Sequence, residues 1–390
     1  MNPTFASVPP LALYVHLPWC VRKCPYCDFN SHEARGEPPF AAYVEALLRD
    51  LEAQLPEVWG RRLESVFIGG GTPSLFPPEM LHELLSGLRA RLPLHPDIEI
   101  TLEANPGTVD RAYFRGYREA GVNRLSLGIQ SFEDAMLERL GRIHGGAEAR
   151  QAVEHARAAG FDDINLDLMF GLPQQSLAAG LADLDTAIAL EPEHVSWYQL
   201  TLEPNTLFAA RPPALPEDEA IAELFERGRE RLERAGYARY EVSGYARHGQ
   251  QCRHNLNYWS FGDYLGIGAG AHGKLTMAHD ASILRRVKPR QPAAWMEAPQ
   301  AHRDQPVAAA ERPFEFLLNA LRLVEGVPIG LFAERTGLPP AALEPALSEL
   351  RAEGLLTDAP QRLQATERGM AFLNDVLERF LPEAATGATP

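Results

Sequence analysis

Three of the four cysteines in this 390-residue chain lie within eight positions, at Cys20, Cys24 and Cys27. Thiolates spaced four and three residues apart on one loop can converge on a single metal centre. A [4Fe–4S] cluster normally takes four Cys ligands, so three of them leave one iron open to a small molecule. The spacing therefore predicts a metal centre, which we interpret as an iron–sulfur cluster.

Two other interpretations of these cysteines stay open. A structural zinc ion would need a fourth ligand, for which His16 and His32 are candidates. A disulfide framework is disfavoured, because an odd cluster with a distant Cys252 in a thiol-poor chain does not pair evenly.

The cysteine loop follows an apolar run, Leu11–Leu17, which ends at Pro18 and is predicted to be a buried strand. Apolar runs alternate with amphipathic stretches as far as residue 201, which predicts βαβ units and a parallel sheet. Right-handed crossovers would curl six units into an open, partial barrel, although periodicity alone equally allows a doubly wound sheet. The later predicted strands are 64–68, 97–103, 123–129, 163–168 and 195–201, with one more near 240–243. The predicted helices include 40–55, 78–92, 147–159, 177–190 and 217–235.

Parallel strands end at one edge of a sheet, where ligands collect. Gly70, Gly71 and Thr72 follow the second predicted strand, and glycine lets the backbone approach a ligand, although a glycine triplet is also typical of a tight turn. Glu103 ends the third strand, where it could accept hydrogen bonds from a ligand or simply be solvated.

Three further polar residues are candidates at the same edge. Gln130 can donate and accept, and the fork of Arg142 suits a carboxylate, although each alone is equally typical of a protein surface. Asp167 interrupts an apolar strand, and a buried carboxylate needs partners.

The stretch 254–259 contains His254, Asn255, Tyr258 and Trp259. Imidazole can ligate haem iron, and the aromatic rings offer stacking area. Chemistry alone equally predicts a packed corner with a hydrogen-bonded histidine. The sequence has no C-x-x-C-H motif, so covalent c-type haem attachment is unsupported.

Composition narrows the function class. The net charge of −15 disfavours nucleic acid and a permanent anionic membrane surface as partners. No apolar run approaches the roughly 20 residues that span a bilayer, which predicts no stable membrane insertion. The N-terminus lacks signal-peptide features, so we expect a cytoplasmic protein with reduced thiols.

We expect four segments: a barrel with the metal centre at 1–245, an irregular connection at 246–310, a helical unit at 311–380 and a flexible tail at 381–390. Residues 286–311 are rich in Pro and Ala, which favours irregular structure. The unit at 311–380 resembles a winged helix, but its seven Arg and no Lys against eleven acidic residues provide no basic footprint. We therefore expect a structural or lid domain there, with helices at 314–324, 329–336, 341–353 and 367–380.

The C-x₃-C-x₂-C spacing, with Tyr26 before the last cysteine, resembles the radical S-adenosylmethionine (SAM) superfamily. The lead-in from Tyr14 to Cys20 and the D-L-x-x-G-L-P pattern from Asp167 resemble the branch of oxygen-independent coproporphyrinogen III oxidases and HemW-type haem chaperones. The resemblance implies a (β/α)₆ partial barrel and SAM on the open iron. It does not fix whether one or two SAM molecules bind. The SAM contacts it implies are Tyr14, Tyr26, Gly70, Gly71, Thr72, Glu103, Gln130, Arg142 and Asp167.

Within this branch the sequence resembles the haem chaperones. The H-N-x-x-Y-W pattern at 254–259 is associated with them, whereas Phe29 stands where the oxidases carry a further Cys, and their longer N-terminal extension is missing. The resemblance implies a protein that accepts haem and passes it to an acceptor such as a membrane respiratory protein. We expect it to lack coproporphyrinogen oxidase activity. The alternatives are that oxidase, which would be a radical decarboxylase, and a zinc-stabilised binding module.

Overall fold

A computed structural model describes residues 3–5 and 7–382 of the chain, so the tail expected at 381–390 lies almost wholly outside the described residues. The strands are β1 (Leu11–Leu17), β2 (Trp19–Cys20), β3 (His32–Glu33), β4 (Leu63–Gly70), β5 (Leu94–Ala104), β6 (Arg124–Gln130), β7 (Ile164–Phe170), β8 (His194–Gln199), β9 (Ala238–Arg239), β10 (Gly244–Ala246), β11 (Asp263–Ile267), β12 (His272–Met277), β13 (Ser282–Val287), β14 (Arg303–Pro306), β15 (Val327–Pro328) and β16 (Arg362–Leu363). The α-helices are α1 (Phe40–Gln54), α2 (Pro78–Arg91), α3 (Arg111–Ala120), α4 (Asp134–Arg139), α5 (Gly146–Ala158), α6 (Leu177–Ala189), α7 (Leu207–Ala210), α8 (Asp218–Arg234), α9 (Arg253–Trp259), α10 (Pro292–Glu297), α11 (Arg312–Ala320), α12 (Ile329–Thr336), α13 (Ala346–Ala352), α14 (Glu367–Ala371) and α15 (Leu373–Glu378).

One large sheet contains most of the strands. Strands β1, β4, β5, β6, β7 and β8 lie side by side in that order and are parallel, with helical crossovers between them. Strand β11 pairs parallel to the other side of β1, and β12, β13 and β14 continue antiparallel. At the far end β10 pairs antiparallel with β8, and β9 pairs antiparallel with β10. The predicted α/β class and parallel sheet are confirmed.

The sheet is curved. In a flat sheet β4 and β8 would lie roughly 19 Å apart, which is four strand spacings of about 4.8 Å. Instead, residues from β4 through β8 line one cavity of about 300 Å³. Tyr198 on β8 also donates a hydrogen bond across β7 to Gln130 on β6, at 2.7 Å. The carboxyl ends of the parallel strands therefore converge on one place, as they do in a partial barrel.

Helices α1, α2, α3, α5, α6 and α8 share one hydrophobic core with the sheet. Leu13 and Val15 of β1 and Tyr43 and Leu47 of α1 are fully buried in it. Burial of apolar surface contributes about 25 cal/mol per Å², so this layer supplies most of the rigidity on which the loops depend. Every helix in the described part of the chain is too short or too polar to cross a bilayer.

The irregular connection predicted for 246–310 is wrong, because it contains α9 and β11 to β14 with α10, and the irregular structure predicted for 286–311 is wrong with it. This segment contains the end of β13, then α10 and β14, and it extends the sheet beyond β12. All four residues of β14 are exposed, so this edge strand has no apolar alternation from which a sequence could reveal it. The strand predicted near 240–243 is β10, one residue beyond that range.

The C-terminal unit is mostly helical, as predicted, and has its own hydrophobic cluster around Phe316, Phe332 and Leu350. Strands β15 and β16 pair antiparallel beside its helices. The helix predicted at 341–353 is divided into a 3₁₀ turn and α13, because Pro345 keeps Glu344 in an extended conformation. The last predicted helix breaks at Phe372 into α14 and α15.

A buried ion cluster fastens the β11–β12 extension to the N-terminal half. Asp263 lies 2.9 Å from the Lys274 ammonium and 2.9 Å from the Arg61 guanidinium. Asp263 also accepts hydrogen bonds from the backbone and the hydroxyl of Thr276, at 3.0 and 2.8 Å. The carboxylate of Asp263 and the side chain of Lys274 are almost fully buried, so neither charge has water as an alternative partner.

We expect Asp263→Ala to lower the free energy of unfolding by about 3–5 kcal/mol, because it leaves Lys274 buried without a counter-charge. Urea denaturation followed by circular dichroism measures this change. Asp280→Ala is the control, since Asp280 is exposed and its contacts to His279 and Ser282 lie on a surface turn, so the change should hardly shift the midpoint. Equal midpoints for the two variants would contradict the fastening role of Asp263.

Candidate cofactor site

The cysteine loop is closed at its base by backbone hydrogen bonds. Strands β2 and β3 pair in parallel, with His32 N donating to Pro18 O at 2.7 Å and Ala34 N donating to Cys20 O at 2.9 Å. Cys20 ends β2, the loop that follows carries Cys24 and Cys27, and all three cysteines line the 300 Å³ cavity. A short ladder thus places three thiols from one loop on one wall.

The glycine turn after β4 is joined to this loop. Gly71 N donates to Leu17 O and Thr72 N donates to Trp19 O, both at 2.8 Å. A Cβ atom on Gly71 would lie 2.6 Å from Trp19 O, closer than real Cβ contacts. Gly70 has φ +119°, a conformation that favours glycine. The close approach of the two loops therefore explains Gly71, and the backbone conformation explains Gly70, without a ligand.

The remaining wall comes from the ends of β5 to β8. Every SAM contact implied by the sequence resemblance lines this cavity except Tyr14, which lies in the neighbouring one. Sequence reasoning missed Asn105, Ser126 and Tyr198, which also line it. The sequence could have predicted Ser126 as a lining residue, because residues 126, 128 and 130 of a strand lie on the same face, and Gln130 was already a candidate.

Two carboxyl groups lie together on the cavity floor. Glu103 accepts a hydrogen bond from Gly70 N at 3.1 Å, and loss of hydration together with the nearby Asp167 raises the pKa of Glu103 to about 8. Asp167 accepts hydrogen bonds from Ser126 and Asn165, both at 2.8 Å, and burial raises its pKa too. These groups suit a ligand that brings donors or positive charge.

Arg142 adds a positive charge to the lining of the cavity. Arg142 donates to Gly128 O at 2.6 Å and lies 3.6 Å from the sulfur of Cys24. Its buried Nε atom has no hydrogen-bond partner among the described residues. With two carboxyl groups and an unpaired guanidinium donor in its lining, the cavity matches an amino-acid-like, zwitterionic ligand.

The donor set fits an iron–sulfur cluster better than zinc. Three thiols line a cavity of about 300 Å³, which has room for a group of several atoms. His16 bonds Tyr14 through Nδ1 at 3.0 Å and Asn30 O through Nε2 at 2.9 Å, so neither ring nitrogen is free to complete a zinc site.

A second cavity of about 480 Å³ adjoins the first. The two share Phe29, Gly70 and Glu103 in their walls. The remaining residues of the second cavity include three tyrosines and two histidines. The residues that complete its lining are Tyr14, His16, Asp28, Asn30, Tyr258, Tyr264, Gly270, His272 and Arg290.

The haem candidates at 254–259 do not converge on one cavity. His254 is 1% exposed, and its ring nitrogens lie 2.9 Å from Ser65 Oγ and 2.9 Å from Tyr258 Oη. Burial lowers the pKa of His254 to about 3, so its ring is neutral. Tyr258 reaches the second cavity, whereas Trp259 packs under Arg322 and half-buried Asn255 lines neither large cavity. As placed, His254 has no free nitrogen to offer to iron.

Family comparisons agree with this architecture. The radical SAM superfamily model matches residues 14–184, and the HemN C-terminal domain model matches residues 307–372. The solved structure of coproporphyrinogen III oxidase (HemN) from Escherichia coli has a TM-score of 0.80, with 22% identity, over 96% of this chain and 90% of that chain. The chain therefore has the radical SAM fold with a C-terminal helical domain.

Comparison with individual proteins assigns the chain to one family within this superfamily. Heme chaperone HemW of Escherichia coli is 53% identical over 97% of this chain and 100% of the relative. The protein of the same name from Haemophilus influenzae is 50% identical over 97% of this chain and 99% of the relative. This chain belongs to the HemW family of radical SAM proteins, and membership implies a [4Fe–4S] cluster and SAM.

We expect Gly71→Ala to lower the free energy of unfolding by about 1–3 kcal/mol, because the new methyl group would push the glycine turn away from Trp19 O. Thermal denaturation measures this loss. Gly330→Ala is the matched control: a Cβ there meets nothing within 4 Å, and alanine favours helix α12. A Gly71→Ala protein as stable as the control would show that the loops do not need this contact.

The raised pKa of Glu103 predicts a pH-dependent stability difference. Between the unfolded pKa, near 4.5, and the folded pKa of about 8, the unfolded chain binds fewer protons, so this group makes stability fall as pH rises. Glu103→Gln removes that loss. The free energy of unfolding of this variant should therefore exceed that of the wild type by at least about 1 kcal/mol at pH 8, the equivalent of roughly one pKa unit. Near pH 4.5 the two should be similar. Denaturation of the apoprotein at both pH values tests this, and a difference that does not depend on pH would contradict it.

Proposed function

We propose that this protein is a haem chaperone that carries a [4Fe–4S] cluster and SAM, binds haem and transfers it to an acceptor protein. The proposal rests mainly on the 53% identity to a protein named Heme chaperone HemW across 97% of this chain. We place the protein in the cytoplasm, within porphyrin metabolism. A membrane respiratory protein, contacted transiently, is the acceptor class that we favour.

Cys20, Cys24 and Cys27 would hold the cluster and leave one iron open. When bound, such a cluster supplies a coordination site for SAM and one-electron redox chemistry. Arg142, which lies 3.6 Å from the Cys24 sulfur, would direct its Nε, unpaired among the described residues, toward the ligand. The other cavity residues would bind SAM by hydrogen bonds and charge. These are Tyr26, Gly70, Gly71, Thr72, Glu103, Gln130 and Asp167, with Tyr14 reaching the site from the neighbouring cavity.

Haem would occupy the second cavity, next to the cluster. Its tyrosine walls offer the flat apolar contact that a porphyrin needs. Tyr258 would form part of this wall, and His254 would fix the Tyr258 hydroxyl rather than bind iron itself. Asn255 and Trp259 would support helix α9, which carries both residues.

One preparation can test this proposal. Anaerobically reconstituted wild-type protein should contain about four iron atoms and give a saturable Soret change on titration with haemin. Replacing Cys20, Cys24 and Cys27 together by alanine should abolish the iron. Cys252→Ser, which alters a buried thiol bonded to Glu99 at 3.5 Å, should retain the iron.

A coproporphyrinogen III assay on the same preparation separates the chaperone from the oxidase. We expect no protoporphyrinogen, and turnover would favour the decarboxylase. The absence of a saturable Soret change would reject the chaperone proposal. Stoichiometric zinc in place of iron would reject the cluster.

A further inference from the structure

Strand β6 is irregular where it reaches the first cavity. Its pairing with β7 shifts in register between Leu127 and Gln130, and Gln130 has φ +69°, in the left-handed region. This conformation costs free energy for a residue with a Cβ atom, so neighbouring contacts must hold it. We propose that Asp183 on helix α6 is a positioning residue that holds Gln130 in this conformation for binding SAM. This inference rests on the SAM site of the proposed function, and Asp183 itself lines neither large cavity.

The carboxylate of Asp183 holds the two residues that follow Gln130. It accepts hydrogen bonds from Ser131 Oγ and from Phe132 N, both at 2.7 Å. Asp183 is 5% exposed and Ser131 is fully buried, so water is not available to replace these bonds. Burial raises the pKa of Asp183 to about 6, so the carboxyl group is ionised at pH 7 and both of its oxygens accept.

A second buried side chain holds the residue before Gln130. His144 Nε2 donates to Ile129 O at 3.1 Å, and the His144 ring is almost fully buried. His144 follows β6 in the chain, whereas Asp183 belongs to the helix of the next βα unit. The backbone is therefore held on both sides of Gln130, and Asp183 connects this turn to a separate rigid element.

The side chain of Gln130 shows what this conformation provides. Its Oε1 accepts from the Tyr198 hydroxyl at 2.7 Å, which orients the amide group in the cavity wall. Its Nε2 group makes no hydrogen bond to any described residue. An amide donor held in one direction suits an acceptor oxygen of SAM, which has oxygens on its carboxylate and its ribose.

Loss of the Asp183 carboxylate would release the turn. Ser131 Oγ would keep only its bond from Glu133 N, at 3.1 Å, and Phe132 N would lose its acceptor. Gln130 could then return to a φ that a residue with a Cβ atom favours, and its amide would leave the position fixed by Tyr198. The expected consequence is weaker SAM binding with the cysteine loop unchanged.

The test titrates SAM into reconstituted, reduced full-length protein and follows the electron paramagnetic resonance (EPR) spectrum of the cluster. Asp183→Ala should keep its iron and bind SAM about tenfold more weakly than wild type. Asp183→Asn can still accept from Phe132 N and should recover most of this affinity. Asp185→Ala is the matched control, because Asp185 lies on the same helix but is exposed and pairs with Arg231. The control should bind SAM as wild type does.

A double-mutant cycle separates positioning of Gln130 from general support of the fold. If Asp183 acts through Gln130, Asp183→Ala should weaken SAM binding by less than about twofold in a Gln130→Ala background, because the side chain that it positions is absent. The same loss of affinity in both backgrounds would show that Asp183 supports the fold without acting on Gln130, and would overturn the inference.

The outcomes separate this inference from the proposed function. If Asp183→Ala does not retain its cluster, Ser131→Ala takes its place: it removes one of the two bonds with little change in volume and should weaken SAM binding about threefold. Wild-type affinity in the variant tested overturns this inference but leaves the proposed function standing. Wild-type protein whose spectrum does not respond to SAM overturns the SAM site and this inference together.

Discussion

The site depends on the backbone contact between the cysteine loop and the glycine turn after β4. Two amide hydrogen bonds, from Gly71 to Leu17 and from Thr72 to Trp19, join the ends of neighbouring parallel strands. They form only because residue 71 has no Cβ. The loop is closed separately by β2 and β3. Three thiols are therefore held by main-chain geometry beside the polar ends of β5 to β8. This geometry fixes the position of the cysteines in the wall of the first cavity and the boundary between the two cavities.

Buried polar groups hold the other side of the site. Asp167 is bonded to Asn165, whose amide oxygen bonds the His194 ring at 2.6 Å, and His194 in turn bonds Tyr240 at 2.9 Å. Such a chain is stable because every member has a partner, and it keeps Asp167 in one position at the cavity floor. Glu103 differs, because among the described residues its side chain has only the backbone of Gly70. A ligand with hydrogen-bond donors would give the Glu103 carboxyl further partners. We therefore expect Glu103 to respond more than Asp167 to ligand binding.

Sequence patterns predicted the local elements well and the long-range pairings poorly. The βα alternation located β1 and β4 to β8 with their helices, because each element is a local apolar period. The placement of β11 beside β1 involves residues some 250 positions apart, and no local pattern encodes it. The motif resemblance predicted most of the polar residues that line the first cavity. It gave His254 as a haem ligand candidate, but only the fold brings Ser65 beside His254.

The central claim is that three thiols hold a cluster with one iron open to SAM at the mouth of this cavity. EPR of the anaerobically reduced wild-type protein, with and without SAM, tests it most directly. We predict a [4Fe–4S]⁺ signal whose g-values shift on addition of SAM. The g-values should stay unchanged when the same volume of buffer without SAM is added. A signal indifferent to saturating SAM, or protein without a reducible cluster, would contradict the account.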